Sequence, residues 1–289
     1  MKILIIGNGF LATSIVNMLE SEGHEILIFS RTQSTRVQTQ QVLGDIFHFE
    51  EFVKVLAWKP QVVINTAWIT TPGVYRNDLS NIRYAEFVTN LTKAVVNSSV
   101  THLVILGTCA EYGHQIGPST AGVTRLSPNT LYAQQKVLAL NSAKDLIQKS
   151  DMKFTWVRIF YPYGPNQDPD RLIPRLIYSL RNREPIVLAD VSSIYDWITT
   201  RDIATAISWI LENQLPTEID IGTTFGVTNL ELLTTLEKLL GATAQSLSQL
   251  HHDYGINEVF VTGKNSPLLK SGWSPKDTLS SGLEWVLEQ

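Results

Sequence analysis

The first twenty residues constrain this chain more tightly than any other stretch. Lys2-Ile3-Leu4-Ile5-Ile6 is a short apolar run, and Gly7-Asn8-Gly9-Phe10-Leu11-Ala12 reads G-x-G-x-x-A. Leu11, Ile15, Val16 and Leu19 then share one face of a helix over residues 10–21. Buried strand, glycine turn and helix, in that order, predict the opening βα unit of a dinucleotide-binding sheet. Glycines let the backbone turn tightly and approach a pyrophosphate. The helix N-terminus supplies unpaired N–H groups at the positive end of its dipole. Ala12 at the third position still permits close packing of helix on strand. The plainer reading is a tight turn with no ligand, and the remainder of the chain argues against it.

The same alternation continues. Strands are expected at Glu25 to Phe29, at Gln61 to Asn65 after the stop at Pro60, at His102 to Gly107 and at 153–159. Helical patterns cover 80–98 and 130–149. Strands spaced by helices imply a Rossmann-type α/β fold, a doubly wound parallel sheet. After residue 160 the texture changes. Tyr161-Pro162-Tyr163-Gly164-Pro165-Asn166-Gln167-Asp168-Pro169 is dense in turn formers. Helices at 171–182, 202–213, 229–240 and 277–288, with short strands at 186–189 and 194–199, predict a smaller α+β lobe. We therefore expect a dinucleotide-binding domain over 1–163, with elements returning to it near 194–213, and a C-terminal substrate-binding lobe over 164–289.

Composition removes several function classes. A net charge of -4 gives no electrostatic footprint for nucleic acid. No apolar stretch approaches the ~20 residues of a membrane-spanning helix. The apolar run before Gly7 is too short for a signal-peptide core. Cys109 is the single cysteine, so no intrachain disulfide forms. Together these predict a cytoplasmic protein with no membrane partner. His251-His252-Asp253 resembles a metal cluster, but adjacent side chains diverge and no second ligand pair has metal spacing. No metal is expected.

Tyr132 and Lys136 lie at i and i+4 in the helix over 130–149, so both project into one cleft. A free phenol has a pKa near ~10. A nearby ammonium and the positive helix end both favour the phenolate, which tunes the group for general acid or base work. Ser127-Pro128 is a helix-start signal just ahead of it. Thr108 closes the strand Leu103-Val104-Ile105-Leu106-Gly107, at the sheet edge where ligands bind in open α/β folds. The second strand ends Phe29-Ser30-Arg31-Thr32 with no acid for ribose hydroxyls. Arg31 and Ser30 instead suit a 2′-phosphate, which favours NADP, with NAD as the alternative. Asp45, after the third strand, is placed for the adenine amino group.

With these residues in view, the chain resembles the extended short-chain dehydrogenase/reductase family over nearly its whole length. The likeness is carried by the glycine turn, Gly44-Asp45, Val62-Val63-Ile64-Asn65-Thr66-Ala67, Gly107-Thr108-Cys109-Ala110-Glu111-Tyr112-Gly113 and Tyr132-Ala133-Gln134-Gln135-Lys136. It continues through Arg158-Ile159-Phe160-Tyr161-Pro162-Tyr163-Gly164-Pro165, Tyr195-Asp196-Trp197-Ile198-Thr199-Thr200-Arg201-Asp202 and Gly272-Trp273-Ser274-Pro275. The resemblance implies a nucleotide-sugar enzyme. Tyr132 would relay the proton, Lys136 would lower its pKa and hold the nicotinamide ribose, and Thr108 would bond the substrate carbonyl or hydroxyl. It places cofactor contacts at Gly7, Gly9, Phe10, Leu11, Ser30, Arg31, Asp45, Ile46, Thr66, Ala67 and Lys136. Asn81 would steady the site, Trp68 would roof the nicotinamide pocket, and a homodimer would form through the 80–98 and 130–149 helices.

The chain departs from the family at informative places. Sugar dehydratases carry an Asp-Glu pair just after the catalytic Thr, and here those places hold Cys109 and Ala110. Glu111 is one residue out of register, and extended alternation would turn it away. Cys109 has no histidine placed to activate it and reads as a small apolar filler. Tyr161 replaces the usual asparagine, and Tyr195 replaces the arginine that clasps the sugar diphosphate. Arg171 and Arg175 are then the candidate diphosphate cations. Thr70, Cys109, Tyr161, Arg171, Arg175 and Tyr195 form the expected substrate surface. Three readings follow: a reductase of a keto group on a nucleotide-linked deoxysugar, an epimerase that retains NAD, and a cofactor-sensing protein without catalysis. Retention of both Tyr132 and Lys136 argues against the third.

Overall fold

The apolar runs become strands buried on both faces, as a parallel sheet covered by helices on each side requires. The computed structural model describes residues 1–188, 191–213, 215–249 and 258–289. The first half comprises β1 (Lys2–Ile6), α1 (Phe10–Ser21), β2 (Glu25–Ser30), β3 (Gln40–Leu43), α2 (Phe49–Val55), β4 (Val62–Asn65), α3 (Ser80–Val96), β5 (His102–Thr108), α4 (Leu131–Ile147) and β6 (Lys153–Ile159). There follow β7 (Tyr161–Tyr163), α5 (Leu172–Asn182), β8 (Ile186–Leu188), β9 (Ile194–Tyr195), β10 (Trp197–Thr199), α6 (Thr200–Glu212) and β11 (Glu218–Ile221). The chain ends with β12 (Val227–Thr228), α7 (Asn229–Leu240), β13 (Leu247–Gln249), β14 (Val259–Phe260), α8 (Pro267–Lys270) and α9 (Leu279–Leu287).

The main sheet has strand order β11-β6-β5-β4-β1-β2-β3, and its pairings are parallel. Chain direction across the sheet reverses between β1 and β4. That switch point opens a crevice at the carboxyl ends of the strands, where ligands of doubly wound sheets bind. Alternation along β1 divides the core in two. Leu4 and Ile6 pack with Val63, Phe87 and Leu140, while Ile3 and Ile5 pack with Ile15, Ile64 and Ile207.

Two expectations change. The return to the main sheet runs beyond 194–213, because β11 pairs with β6 after α6 has packed on α1. The expected 194–199 strand also breaks at Asp196. That buried carboxylate accepts from the Thr223 N–H and hydroxyl and from the N–H groups of Thr224 and Thr262. Serving these loops splits the run: β9 pairs with β12 and β14, and β10 pairs with β7. The C-terminal lobe has its own core of Ile173, Leu176, Leu180, Leu232, Leu236 and Leu283. His251, His252 and Asp253 lie outside the described residues. Among the described residues no helix is long and apolar enough to cross a membrane.

Candidate active site

The glycine turn is built as a cradle. The Gly7 N–H donates to Phe29 O at 2.8 Å, and Gly7 adopts φ +97, a conformation costly for any other residue. A Cβ there would meet Thr66 Oγ1 at 2.7 Å and Ala67 N at 3.2 Å. Thr66 is in turn fixed to Ile6 O through its N–H at 2.9 Å and its hydroxyl at 2.8 Å. Gly9 caps α1 with no side-chain hydrogen bond, and the first turn carries no acidic residue. A Cβ on Gly9 meets nothing within 4 Å. The first-turn N–H groups thus face open space at a positive helix end, and this donor set fits a pyrophosphate. Phe10 lines a cleft with Arg36 and Trp285, and Leu11 packs on the sheet core.

At the edge of β2, Ser30 is buried and its hydroxyl donates to Thr32 O at 2.8 Å, while Arg31 is exposed. Asp45 Oδ1 accepts from Phe47 N at 2.9 Å, and Ile46 is buried in the core. Arg31 and Asp45 both act electrostatically on the Tyr84 phenol, whose pKa burial raises. In the β2–β3 register Ser30 pairs with Leu43, so Arg31 and Asp45 follow the same ends of adjacent strands.

Thr130 caps α4 by accepting from Ala133 N at 3.2 Å, so the helix starts after Ser127-Pro128 rather than at it. Tyr132 and Lys136 fall in the first two turns and are buried. The Tyr132 N–H donates to Arg76 O at 2.9 Å. Lys136 Nζ donates to Leu106 O at 2.5 Å and sits 3.9 Å from the Trp68 ring centre. Trp68 Nε1 donates to Asn81 Oδ1 at 2.7 Å, and Asn81 Nδ2 donates to Tyr75 O and Asp78 O. Asn81 thus fixes both the roof and the turn leading into α3.

The electrostatics differ from the expectation for Tyr132. Burial pushes its phenol up from the usual value, the Tyr75 phenol adds to that, and a hydrogen bond with Thr108 pulls it back. The tyrosine is enclosed by Tyr75 at 5.0 Å and Trp68 at 6.3 Å, both edge-on. Lys136 is 5.8 Å from the Tyr132 ring centre, engaged with Leu106 O and Trp68. Burial pulls Lys136 down to about 7 from 10.5, with the Glu111 charge acting upward.

The segment after Thr108 is not extended. Cys109–Tyr112 is a 3-10 turn capped reciprocally, with Thr108 Oγ1 accepting from Ala110 N and Glu111 Oε1 accepting from Thr108 N. The curl turns Glu111 inward, onto Trp156 and Arg158. Cys109 is buried, and desolvation with the Asp196, Asp220 and Glu111 charges pushes its thiol up. A thiol so placed is inert filler rather than a nucleophile.

Two of the expected substrate residues, Tyr161 and Tyr195, lie in an aromatic box. Tyr161 lies 4.6 Å from Tyr195, 5.4 Å from Trp197 and 5.7 Å from Phe260, and Tyr195 stacks on Phe260 with 9° between planes. Arg171 donates to Thr70 O and lies 5.3 Å from the Tyr75 ring centre, which ties the C-terminal lobe to the roof over Tyr132. Arg175 is exposed on α5, and among the described residues no hydrogen bond or ion pair joins its side chain to this group. The sequence reading missed Arg76. Its pKa is raised, by the Tyr75 hydroxyl first and by the Tyr161 and Tyr195 phenols after it, against the lowering by burial. Its one local signal is its place in the loop that follows Trp68.

The chain as a whole is similar to known proteins. Low-salt glycan biosynthesis protein Agl12 of Haloferax volcanii is 27% identical over 205 residues, covering 67% of this chain and 63% of that protein. The dTDP-D-glucose 4,6-dehydratase of Bos taurus is 23% identical over 99% of this chain and 88% of its own length. A crystal structure of dTDP-glucose 4,6-dehydratase from Bacillus anthracis in complex with NAD superposes with a TM-score of 0.84 at 25% identity, covering 100% of this chain and 96% of that one. The family model for NAD dependent epimerases and dehydratases matches residues 3–222, from the first strand through the glycine cradle and α4 to the end of β11. By that match, the chain belongs to the NAD dependent epimerase/dehydratase family.

Proposed function

We propose that the protein is an NADP-dependent reductase of a keto group, at C4, on a nucleotide-activated deoxysugar. The observation that carries this reading is the absence of a second acid–base pair beside Thr108. Cys109 and Ala110 occupy the two following places, and Glu111 is committed to Arg158 and Trp156. Eliminating water from a sugar needs such a pair, whereas reducing a ketone needs one proton donor. Tyr132 is suited to that single task, since burial keeps its phenol protonated.

In this reading Gly7, Gly9 and the first turn of α1 hold the pyrophosphate, and the exposed Arg31 holds the 2′-phosphate, while Ser30, whose hydroxyl donates to Thr32 O, shapes the turn beside it. Lys136 holds the nicotinamide ribose. The bound nicotinamide supplies hydride chemistry. Thr108 polarises the carbonyl, and Tyr132 gives its proton to the oxygen as it becomes an alkoxide. Arg76 and Arg171 supply the positive charge that Tyr195 cannot, beside an aromatic box suited to the apolar face of a deoxysugar. A homodimer through α3 and α4 belongs to the same reading, and the exposed Ile82 and Leu138 on those helices support it.

The second reading is an epimerase that retains NAD, favoured by the Thr108-Tyr132-Lys136 set and the family match. Incubation with NADPH and a nucleotide-linked 4-keto-6-deoxysugar separates the two. Stoichiometric loss of NADPH absorbance supports the reductase. Interconversion of nucleotide sugars without net cofactor change supports the epimerase.

A further inference from the structure

We propose that Glu111 is a positioning residue for Lys136, its buried carboxylate supplying a counter-charge close to the ammonium that sits on Leu106 O. The inference rests on the reading of Lys136 as the residue that holds the cofactor ribose.

Glu111 is fully buried, and each of its hydrogen-bond partners is a donor. The Thr108 N–H reaches Oε1 at 2.9 Å, Trp156 Nε1 lies 3.1 Å from each oxygen, and Arg158 Nε lies 2.6 Å from Oε2. A group that only accepts is an ionised carboxylate. Its place is reserved by the backbone, since a Cβ on Gly107 would meet Glu111 Oε1 at 2.7 Å and Trp156 Nε1 at 2.2 Å.

The carboxylate stands within a line of alternating charge. Arg158, itself fully buried, links Glu111 to Glu218 at 2.6 Å, and Glu218 pairs with Lys144. Lys136 and Lys144 both lie on α4; Lys144 pairs with Glu218, and Lys136 Nζ lies 6.0 Å from the centre of the Trp156 ring whose Nε1 donates to Glu111. Buried ion pairs seldom repay their desolvation. A device that holds the Lys136 ammonium in a dry site accounts for this one. Among the described residues, the Tyr132 phenol on its own helix also faces Lys136, 5.8 Å from its ring centre. Trp68 and Trp156 close the remaining sides with uncharged rings. Around Glu111, Arg158 is the directly paired cation, and Asp220 is engaged by the hydroxyl of Tyr112, whose ring centre lies 5.2 Å from the Arg158 guanidinium. Lys136 on Leu106 O and Glu111 on the Thr108 N–H thus engage the same end of β5, two residues apart and both beside Trp156, so the carboxylate favours the charged form of Lys136.

The test follows NADPH affinity of the full chain from pH 6 to pH 9 by fluorescence titration. Wild type is compared with Glu111→Gln and with Glu111→Gln/Arg158→Met, which leaves no stranded guanidinium if the single variant folds poorly. The expected result is affinity weakened ~10-fold or more at pH 7.5, recovering to within ~3-fold at pH 6 as acid restores the ammonium. A loss of equal size at every pH, or no loss, overturns the inference. A wild type that binds neither NADPH nor NADH overturns the functional reading instead. The Lys136 titration midpoint, read by NMR of lysine-labelled protein without cofactor, then decides the inference. It falls in the variants if Glu111 holds the proton, and it stays put if it does not.

Discussion

The Lys136 ammonium lies 3.9 Å from the centre of the Trp68 ring, and Asn81 Oδ1 holds that ring by its Nε1–H at 2.7 Å. The contact is dry, where a cation–π pair is worth about 2 kcal/mol. It ties the loop after β4 to α4. Trp68→Leu keeps an apolar side chain and removes the π face. We expect the KM for NADPH to rise about 10-fold, with kcat falling less, because ribose binding is affected more than proton transfer. Steady-state kinetics at varied NADPH checks this.

The two glycines of the cradle give opposite stability outcomes. Gly7→Ala forces a Cβ against Thr66 Oγ1 at a φ of +97, and should cost roughly 1–3 kcal/mol of folding stability. Gly9→Asp should leave the melting temperature unchanged or slightly higher, since it gives α1 the side-chain cap it lacks, worth about a few tenths of a kcal/mol over glycine. The same carboxylate fills the anion site, so dinucleotide affinity should fall more than ~100-fold. Calorimetry with and without cofactor reads both effects.

Arg31 is the discriminator between cofactors in this account. Arg31→Ala should lower the ratio of kcat/KM for NADPH over NADH by roughly 10- to 100-fold, with NADH values little changed, as loss of a charge-assisted phosphate contact requires. A parallel loss with both cofactors would assign Arg31 a structural role.

His102 sets an acid limit on the fold. It is buried at the start of β5, 2.9 Å from Thr155 Oγ1, and desolvation with the Lys153 charge holds its pKa down to about 3 from 6.5. Between those values the unfolded chain binds the proton and the folded chain does not, so stability falls as pH drops from 6.5 toward 3. Asp220, raised to about 7 from 3.8 by burial, works in the opposite direction over most of that range. A variant isolates the histidine. Between pH 6.5 and 4.5, His102→Gln should lose on the order of 2 kcal/mol less stability than wild type in urea unfolding.

Much of this was legible in the sequence, for reasons that differ by element. The glycine cradle could be read because its constraint is local: φ at Gly7 and the open N-terminus at Gly9 are properties of a few neighbouring residues. Tyr132 and Lys136 could be paired because helical spacing alone brings them together. The electrostatics of Tyr132 could not, because they depend on Tyr75 and Trp68 folding over it from another loop. Glu111 was misjudged by one local choice, a 3-10 curl in place of an extended segment, and the capping by Thr108 makes that choice. Arg76 carries no periodic or motif signal, and its neighbours Tyr161 and Tyr195 come from distant strands. The break at Asp196 follows from loops far along the chain that a single carboxylate gathers.

The central claim is that the Tyr132 phenol delivers the proton as the keto sugar is reduced. Single-turnover oxidation of NADPH by a nucleotide-linked 4-keto-6-deoxysugar, in wild type and Tyr132→Phe, tests it most directly. The account predicts that the Phe variant binds NADPH as wild type does and turns over ~100- to 10,000-fold more slowly. A Phe variant that oxidises NADPH at the wild-type rate would contradict it.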